Sequence, residues 1–360
     1  MTSRRNFIAG LLASGMSPQL TWADVGAPSY LSAARNPDGS YALFGVKASG
    51  SILFKVPLPA RGHAAATHPR RPEAVAFARR PGVFAVVLDC TTGLQVAELN
   101  AAPDRHFYGH GAFSADGAVL YTTENDLETG EGIIGVWNAA EGYVRMGEFA
   151  SGGVGPHDVK LMPDGASLVV ANGGIETHPD SGRAKLNIPT MQPRLSYVNL
   201  SGDVLEQVAL PSEMHKNSIR HLSVSADGLV AFAMQWQGSL TSAPALLGLH
   251  RRGQAPRLLQ ANIDEHRILM GYAGSIALSV DTSEVAITSP KGGVVQVFNT
   301  QTGQLRSMVQ LKDVCGISAG QQGFHVTTGT GLWGNVSHGG LSESVTQQVQ
   351  WDNHLMPVAV

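Results

Sequence analysis

The sequence predicts an all-β fold, a seven-bladed β-propeller closed by a C-terminal strand that joins the N-terminal blade. Three observations lead there. One layout of paired hairpins is rewritten along the chain: "YALFGVKASGSILFKVPL", "FAVVLDCTTGLQVAEL", "GIIGVWNAAEGYVRMGEF" and "GVVQVFNTQTGQLRSMVQL" each place a Gly-containing turn between two apolar strands. Tight turns such as Ser-Ala-Asp-Gly and Met-Pro-Asp-Gly recur before these units, where Asp and Gly supply the left-handed positions that hairpins need. Finally, the N-terminal unit is one strand short and the C-terminus carries one strand too many.

Taken in order, the chain opens on "MTSRRNFIAGLLASGMSPQLTWADVGA", with Arg4-Arg5-Asn6-Phe7, an apolar stretch and then small residues. This is the twin-arginine export pattern. Residues 1–27 are therefore expected to be a signal peptide, cleaved after Ala23 or Ala27, and the mature protein is expected in the periplasm. No later apolar run approaches the ~20 residues of a membrane span, so none is expected after signal removal. Residues 28–360 read as one propeller domain. Its first unit offers only "YLSAAR", "YALFGV" and "SILFKVPL", and "NHLMPVAV" is expected to supply the missing strand. The next unit starts near His63 with "HAAATH", "EAVAFA", "FAVVLD" and "LQVAEL"; others start near His110, His157, His221, Gly274 and Gly316. The His157 unit carries a polar insertion, residues 175–197, with His178, Arg183 and Lys185. A loop of that length is usually functional or mobile.

The 360 residues are 43% hydrophobic and 15% charged, ample for a large core. A net charge of -3 and no basic run exclude a nucleic-acid footprint. The two cysteines, Cys90 and Cys315, fall in different blades and are expected to be free thiols, Cys315 near the channel and Cys90 at an outer hairpin.

Aligning the first strand of each unit gives Gly62-His63, Gly109-His110, Pro156-His157, Arg220-His221, Ala273-Gly274, Cys315-Gly316 and Asn353-His354. The first strand of a blade is innermost, so its start lines the central channel. Five consecutive blades thus offer His63, His110, His157, His221 and His354 to one axis, and two blades offer glycine. Neutral imidazole is the commonest protein ligand for first-row transition metals. The ring predicts a transition-metal site for iron, copper or zinc, with open positions beside the glycines. Asp158, Asp352, Glu124 and Asn125 are candidate outer partners that would fix tautomers. Arg220, Tyr272 and Cys315, with Glu124 and Asn125, are candidates to meet a ligand entering through the glycine gap. Against this stands the plain alternative that polar residues at strand starts only bind channel water.

Other signals are weaker. No G-x-S-x-G elbow, C-x-x-C-H haem motif or helix-opening G-x-G-x-x-G is present. Asp116, Asp164 and Asp227 sit in Asp-Gly turns and read as turn residues.

Five stretches, "RHFYGHGAFSADGAVLYTTEND", "GPHDVKLMPDGASLVVANGGIETHPDSGRAKLN", "SIRHLS", "GYAGSIA" and "DVCGISA", resemble the DUF1513 family of bacterial exported proteins over nearly the whole mature chain. The resemblance implies a twin-arginine signal and a propeller. It also implies genes beside imelysin-type iron-regulated periplasmic proteins and di-haem peroxidase-like thiol oxidoreductases, hence a role in periplasmic iron or other metal acquisition. It supplies no catalytic residues. Three readings follow: a metal- or metal-complex-binding propeller accessory to iron uptake with imelysin-type partners, a metal-dependent hydrolase (lactonase-like) or redox enzyme, and a protein-interaction platform using the 175–197 insertion.

Overall fold

Seven antiparallel sheets stand around one axis in the computed structural model, which describes residues 19–79, 83–182 and 184–358. The twin-arginine motif at Arg4-Arg5 and the insertion's Arg183 lie outside the described residues. Among the described residues, no helix is long and apolar enough to cross a membrane.

Blade 1 contains Tyr30–Arg35, Tyr41–Val46 and Ile52–Leu58. Its inner edge is supplied from the other end of the chain, as expected. Gln350–Trp351 and Met356–Pro357 both pair antiparallel with Tyr30–Arg35. This closing strand is interrupted between the two pairings, and His354 stands in the interruption. Its carbonyl accepts from Ser32 Oγ at 2.9 Å. Blades 2 to 7 start with the inner strands Gly62–Thr67, Arg105–Phe113, Pro156–Leu161, Asn217–Val224, Ser275–Leu278 and Val314–Ala319.

The core lies between blades rather than on the axis. Seven buried clusters correspond to the seven blade-to-blade interfaces. Strand Glu73–Ala78 shows how the period of two builds them: Ala74 and Ala76 face blade 1, while Val75 and Phe77 face blade 3. A strand buried on both faces reads as a continuous apolar run, which is why "AVVLD" and "LVVAN" show no polar alternation. Outer strands face water on one side, so Leu94, Val96, Val144 and Met146 are exposed. Because the sheets pack on each other, the axis is left free for polar side chains.

The Asp-Gly turns take the role expected of them. Asp116 accepts from Ser114 Oγ at 2.6 Å and from the Ala118 amide at 3.0 Å. Asp164 accepts from the Ala166 and Ser167 amides, and Asp227 pairs with Arg251. Each following glycine has positive φ, as at Gly117 with 79°.

The insertion is tied down. Ile175 and Met191 are buried, and Tyr108 Oη lies 2.9 Å from Thr177 Oγ1 and 3.1 Å from the Ile175 carbonyl. Asn187 bridges the Glu176 amide and the Gly174 carbonyl. Its last four residues already belong to the strand Arg194–Asn199. At the other end, Trp22 fills the interface between blades 1 and 2 and donates Nε1 to the His68 carbonyl at 2.8 Å. Both expected cleavage points lie after Trp22, so cleavage at either would remove it from that interface.

Closure depends on Trp351, 2% exposed, whose ring lies edge-on to Phe44 at 5.5 Å and to Trp333 at 6.1 Å. Truncation would open a cavity between the last and first blades. Trp351→Ala is expected to lower unfolding stability by about 3–5 kcal/mol in urea titration; a loss under about 1 kcal/mol would show that closure does not rest on this contact.

Candidate metal centre

Backbone irregularity accompanies four of the five histidines. The ladder from inner to second strand skips between Gly62 and Ala65, Phe107 and Gly111, Pro156 and Asp158, and Ile219 and His221. These β-bulges turn the strand starts inward, as bulges beside functional sites do. They also break ladder hydrogen bonds, which side chains replace: Thr123 Oγ1 sits 3.1 Å from the His110 carbonyl and 3.3 Å from its amide. Gly109, with φ of 102°, is required here, since a Cβ would stand 2.7 Å from the His63 ring.

All five predicted imidazoles come together. Ring centroids lie 4.7 Å apart for His221 and His354, 4.8 Å for His63 and His354, 4.8 Å for His157 and His221, and 5.0 Å for His110 and His354. Two trios have donor atoms within 4.8 Å of one another: His63, His110 and His354, and His110, His157 and His221. Bonds of ~2.0–2.1 Å to one ion need nitrogens roughly 3.3 Å apart, which small ring rotations would reach.

The hydrogen bonds separate the trios. His110 Nδ1 faces Asp158 Oδ1 at 3.2 Å, so it donates there and keeps Nε2 as a lone pair. His63 Nε2 is 3.2 Å from that lone pair and donates to it. His63 Nδ1 is then unprotonated and buried without a partner, and His354 Nε2 on the closing strand is likewise buried without a partner. His157 differs: its Nδ1 accepts from Arg220 Nη1 at 3.1 Å, so a cation already occupies its lone pair. In the first trio only the proton on His63 Nε2 stands between the nitrogens, and moving it to Nδ1 leaves two lone pairs 3.2 Å apart; the first trio is therefore the better ligand set, and the His110–Asp158 pair is the carboxylate–histidine arrangement that orients a ligand.

Asp158 is buried and fully engaged. Its oxygens accept from the Val159 amide at 2.9 Å and the Leu222 amide at 3.0 Å, and Lys160 Nζ forms an ion pair with it at 3.2 Å. Burial alone would raise its carboxyl, but Lys160 and then His110 hold it well below the usual carboxylate range. Burial, assisted by neighbouring cations and imidazoles, pushes His63, His157, His221 and His354 well below 6.5. Neutral rings are the form that coordinates.

The remaining candidates divide. Arg220 joins the cluster through His157. Glu124 does not: it is fully buried in blade 3 and bonded to both Arg145 nitrogens at 2.9 Å. Asn125 donates to the Thr177 carbonyl at 3.2 Å and anchors the insertion. Asp352 fixes no imidazole; it binds Arg61 at 2.6 Å and Arg79 at 2.7 Å. Tyr272 and Cys315 line a separate cavity. Burial pushes both thiols, Cys90 and Cys315, up to about 12, so neither is an activated nucleophile. The glycine gap is also filled. A Cβ on Gly274 would meet Pro290 at 2.8 Å, and one on Gly316 would meet Thr327 at 2.6 Å and the Leu355 backbone at 3.0 Å. These glycines serve close packing. Access comes instead from a funnel of about 1040 Å³ that reaches His110, His221 and His354 from the far ends of the inner strands.

The profile of the family described as "Protein of unknown function (DUF1513)" matches residues 56–358, a span that contains all five histidines. The chain belongs to the DUF1513 family. No protein of curated function matches it. A solved structure of similar shape is that of Kuenenia stuttgartiensis Hydrazine Synthase, with a TM-score of 0.56 and 15% identity over 76% of this chain and 77% of that one. At that identity the likeness shows the propeller fold alone.

The two trios share His110, which has one nitrogen, Nε2, to offer an ion, so this DUF1513 protein is expected to bind a single equivalent of Co²⁺ or Cu²⁺ in a spectroscopic titration. His110→Ala and His354→Ala should weaken binding by about 100-fold or more, Asp158→Asn by about 10–100-fold, and His157→Ala by far less. Two equivalents, or His157→Ala as damaging as His354→Ala, would contradict the assignment.

Burial also depresses His250, His266 and His325, and holds His68, beside Arg71, down to about 4. With the four ring histidines above, these protonate less readily in the folded chain than in the unfolded one, whose imidazoles titrate near 6.5. Above pH 6.5 no penalty exists; below it the unfolded state binds more protons and the folded state loses stability. The urea midpoint of metal-free protein should be flat above neutrality and fall between pH 6.5 and about 4. A midpoint that held constant or rose on acidification would refute this.

Proposed function

We propose that this DUF1513 protein is an exported, metal-binding propeller that holds one transition-metal ion, iron, copper or zinc, on His63, His110 and His354. The observation that carries the reading is the meeting of three imidazoles whose donor atoms lie within 4.8 Å of one another: His63 Nε2 and His110 Nε2 stand 3.2 Å apart, and His354 Nε2 is buried without a hydrogen-bond partner. An unsatisfied buried polar atom costs about 1–3 kcal/mol, and a bound ion relieves that cost. The donor set is all nitrogen, which favours soft or borderline ions over Ca²⁺ or Mg²⁺. The Arg4-Arg5 motif supports folding in the cytoplasm, with the ion loaded before transfer to the periplasm. In that compartment the protein would act as an accessory to iron uptake, with imelysin-type proteins as its partners.

A second reading, a metal-dependent hydrolase or redox enzyme, is favoured by the funnel. It lets a small molecule approach the open side of an ion held by His110 and His354. Turnover of a lactone panel by metal-loaded protein separates catalysis from binding alone.

Elemental analysis of protein purified from the periplasm should show near-stoichiometric iron, copper or zinc. Native protein without metal, together with a five-His-to-Ala variant that binds iron and copper ions as well as wild type, would overturn the proposal.

A further inference from the structure

A second cavity, of about 410 Å³, opens where the inner strands begin, at the end of the channel opposite the funnel. That volume is in the lower part of the range for small-molecule pockets, ~300–1,000 Å³. Its charged walls are Arg35, Arg61, Arg79 and Lys291 against Asp313 and Asp352, two positive charges in excess.

The excess is held in place by the closing segment. Buried Asp352 accepts from Arg61 Nε at 2.6 Å, Arg61 Nη2 at 3.3 Å, Arg79 Nη1 at 2.7 Å and the Asn353 amide at 2.8 Å. One carboxylate therefore fixes two guanidinium groups and neutralises only one. Arg79 uses Nη1 alone, for Asp352 and for Asn353 Oδ1 at 2.9 Å. Its Nε–Nη2 edge, the planar fork that takes a carboxylate or phosphate bidentately, meets no protein acceptor among the described residues. Across the cavity, Lys291 Nζ lies over the Tyr272 ring at 4.8 Å and has no carboxylate partner among the described residues. Tyr41 and Tyr272 add ring surface for an organic body.

We propose that this mouth binds a small oxyanion-bearing molecule, a carboxylate or a phosphate, between the open edge of Arg79 and the ammonium of Lys291. The site shares no residue with the histidine cluster and stands whether or not that cluster holds metal. It also gives Tyr272 a place in recognition, beside a pocket rather than a glycine gap.

Calorimetric titration of the full-length mature protein with succinate and with inorganic phosphate tests it. Saturable binding of at least one is expected, weakening as ionic strength rises. Succinate alone binding identifies a carboxylate ligand; phosphate alone identifies a phosphate. Lys291→Glu, on an exposed turn, should weaken binding by about tenfold or more. Arg79→Lys, which keeps a positive charge on Asp352 but removes the fork, should do the same. A urea midpoint equal to wild type shows that Lys291→Glu remains folded. No saturable binding of either anion, or Lys291→Glu binding as tightly as wild type, overturns the proposal.

Discussion

Ring closure by residues 350–358 is the constraint on which the rest of the molecule depends. Each sheet buries both faces against neighbours, so no blade is complete until the last has met the first. The segment that makes that junction also does three other things. Trp351 and Leu355 enter the interface between blades 7 and 1. Asp352 gathers Arg61 and Arg79. His354 projects to the axis from the interruption in the strand. A continuous strand would have kept its ladder bonds with Tyr30–Arg35 through this stretch; here the Asp352 amide still reaches the Ala33 carbonyl, and beyond it Ser32 Oγ caps the His354 carbonyl instead. The chemistry at the axis is therefore built on the element that closes the fold.

Placing the apolar clusters between blades frees the axis, but a polar axis has its own cost. Four imidazoles pack there with their pKa values pushed down, so the cluster carries little positive charge of its own at neutral pH. The nearest fixed anion is Asp158, already shared with Lys160. Among the described residues, nothing at the centre offers the several carboxylate oxygens a hard cation requires. Arg220 on His157 further biases the ring, because an ion on the second trio would have to displace a guanidinium. The side of the ring formed by blades 1 to 3 is the one electrostatics leaves open.

The sequence showed the fold and the five histidines because both are written in the repeat. A blade-by-blade alignment brings His63, His110, His157, His221 and His354 to one register, and the closing strand follows from the strand count. What it could not show was pairing between distant side chains. Glu124 sits near His110 in sequence, yet Arg145, two strands outward, takes it. Asp352 is two residues from His354, yet Arg61 and Arg79 of blade 2 take it. Asn125 looked like a tautomer partner until the insertion folded back onto it. The glycines at 274 and 316 signalled space in the sequence, whereas in three dimensions they mark where Pro290 and the closing strand come too close for a Cβ. The bulges left no signal in the repeat alignment, and they are not common to every blade, since the inner strand Ser275–Leu278 pairs without one.

The two ends of the channel differ in kind. The funnel's charged walls are limited to Asp158 and Lys160, which pair with each other, and apart from three axis histidines and Gln321 the rest is apolar or hydroxyl-bearing. The other mouth carries two uncompensated positive charges, and Arg79 from that wall already helps keep His63 neutral. A cation on His63 would feel the same repulsion. On the proposed readings, an oxyanion on Arg79 would screen it, and by linkage the ion would strengthen anion binding by the same factor. Two sites on opposite sides of one ring of imidazoles would then favour joint occupation, as expected of a protein that handles a metal together with its anionic ligand.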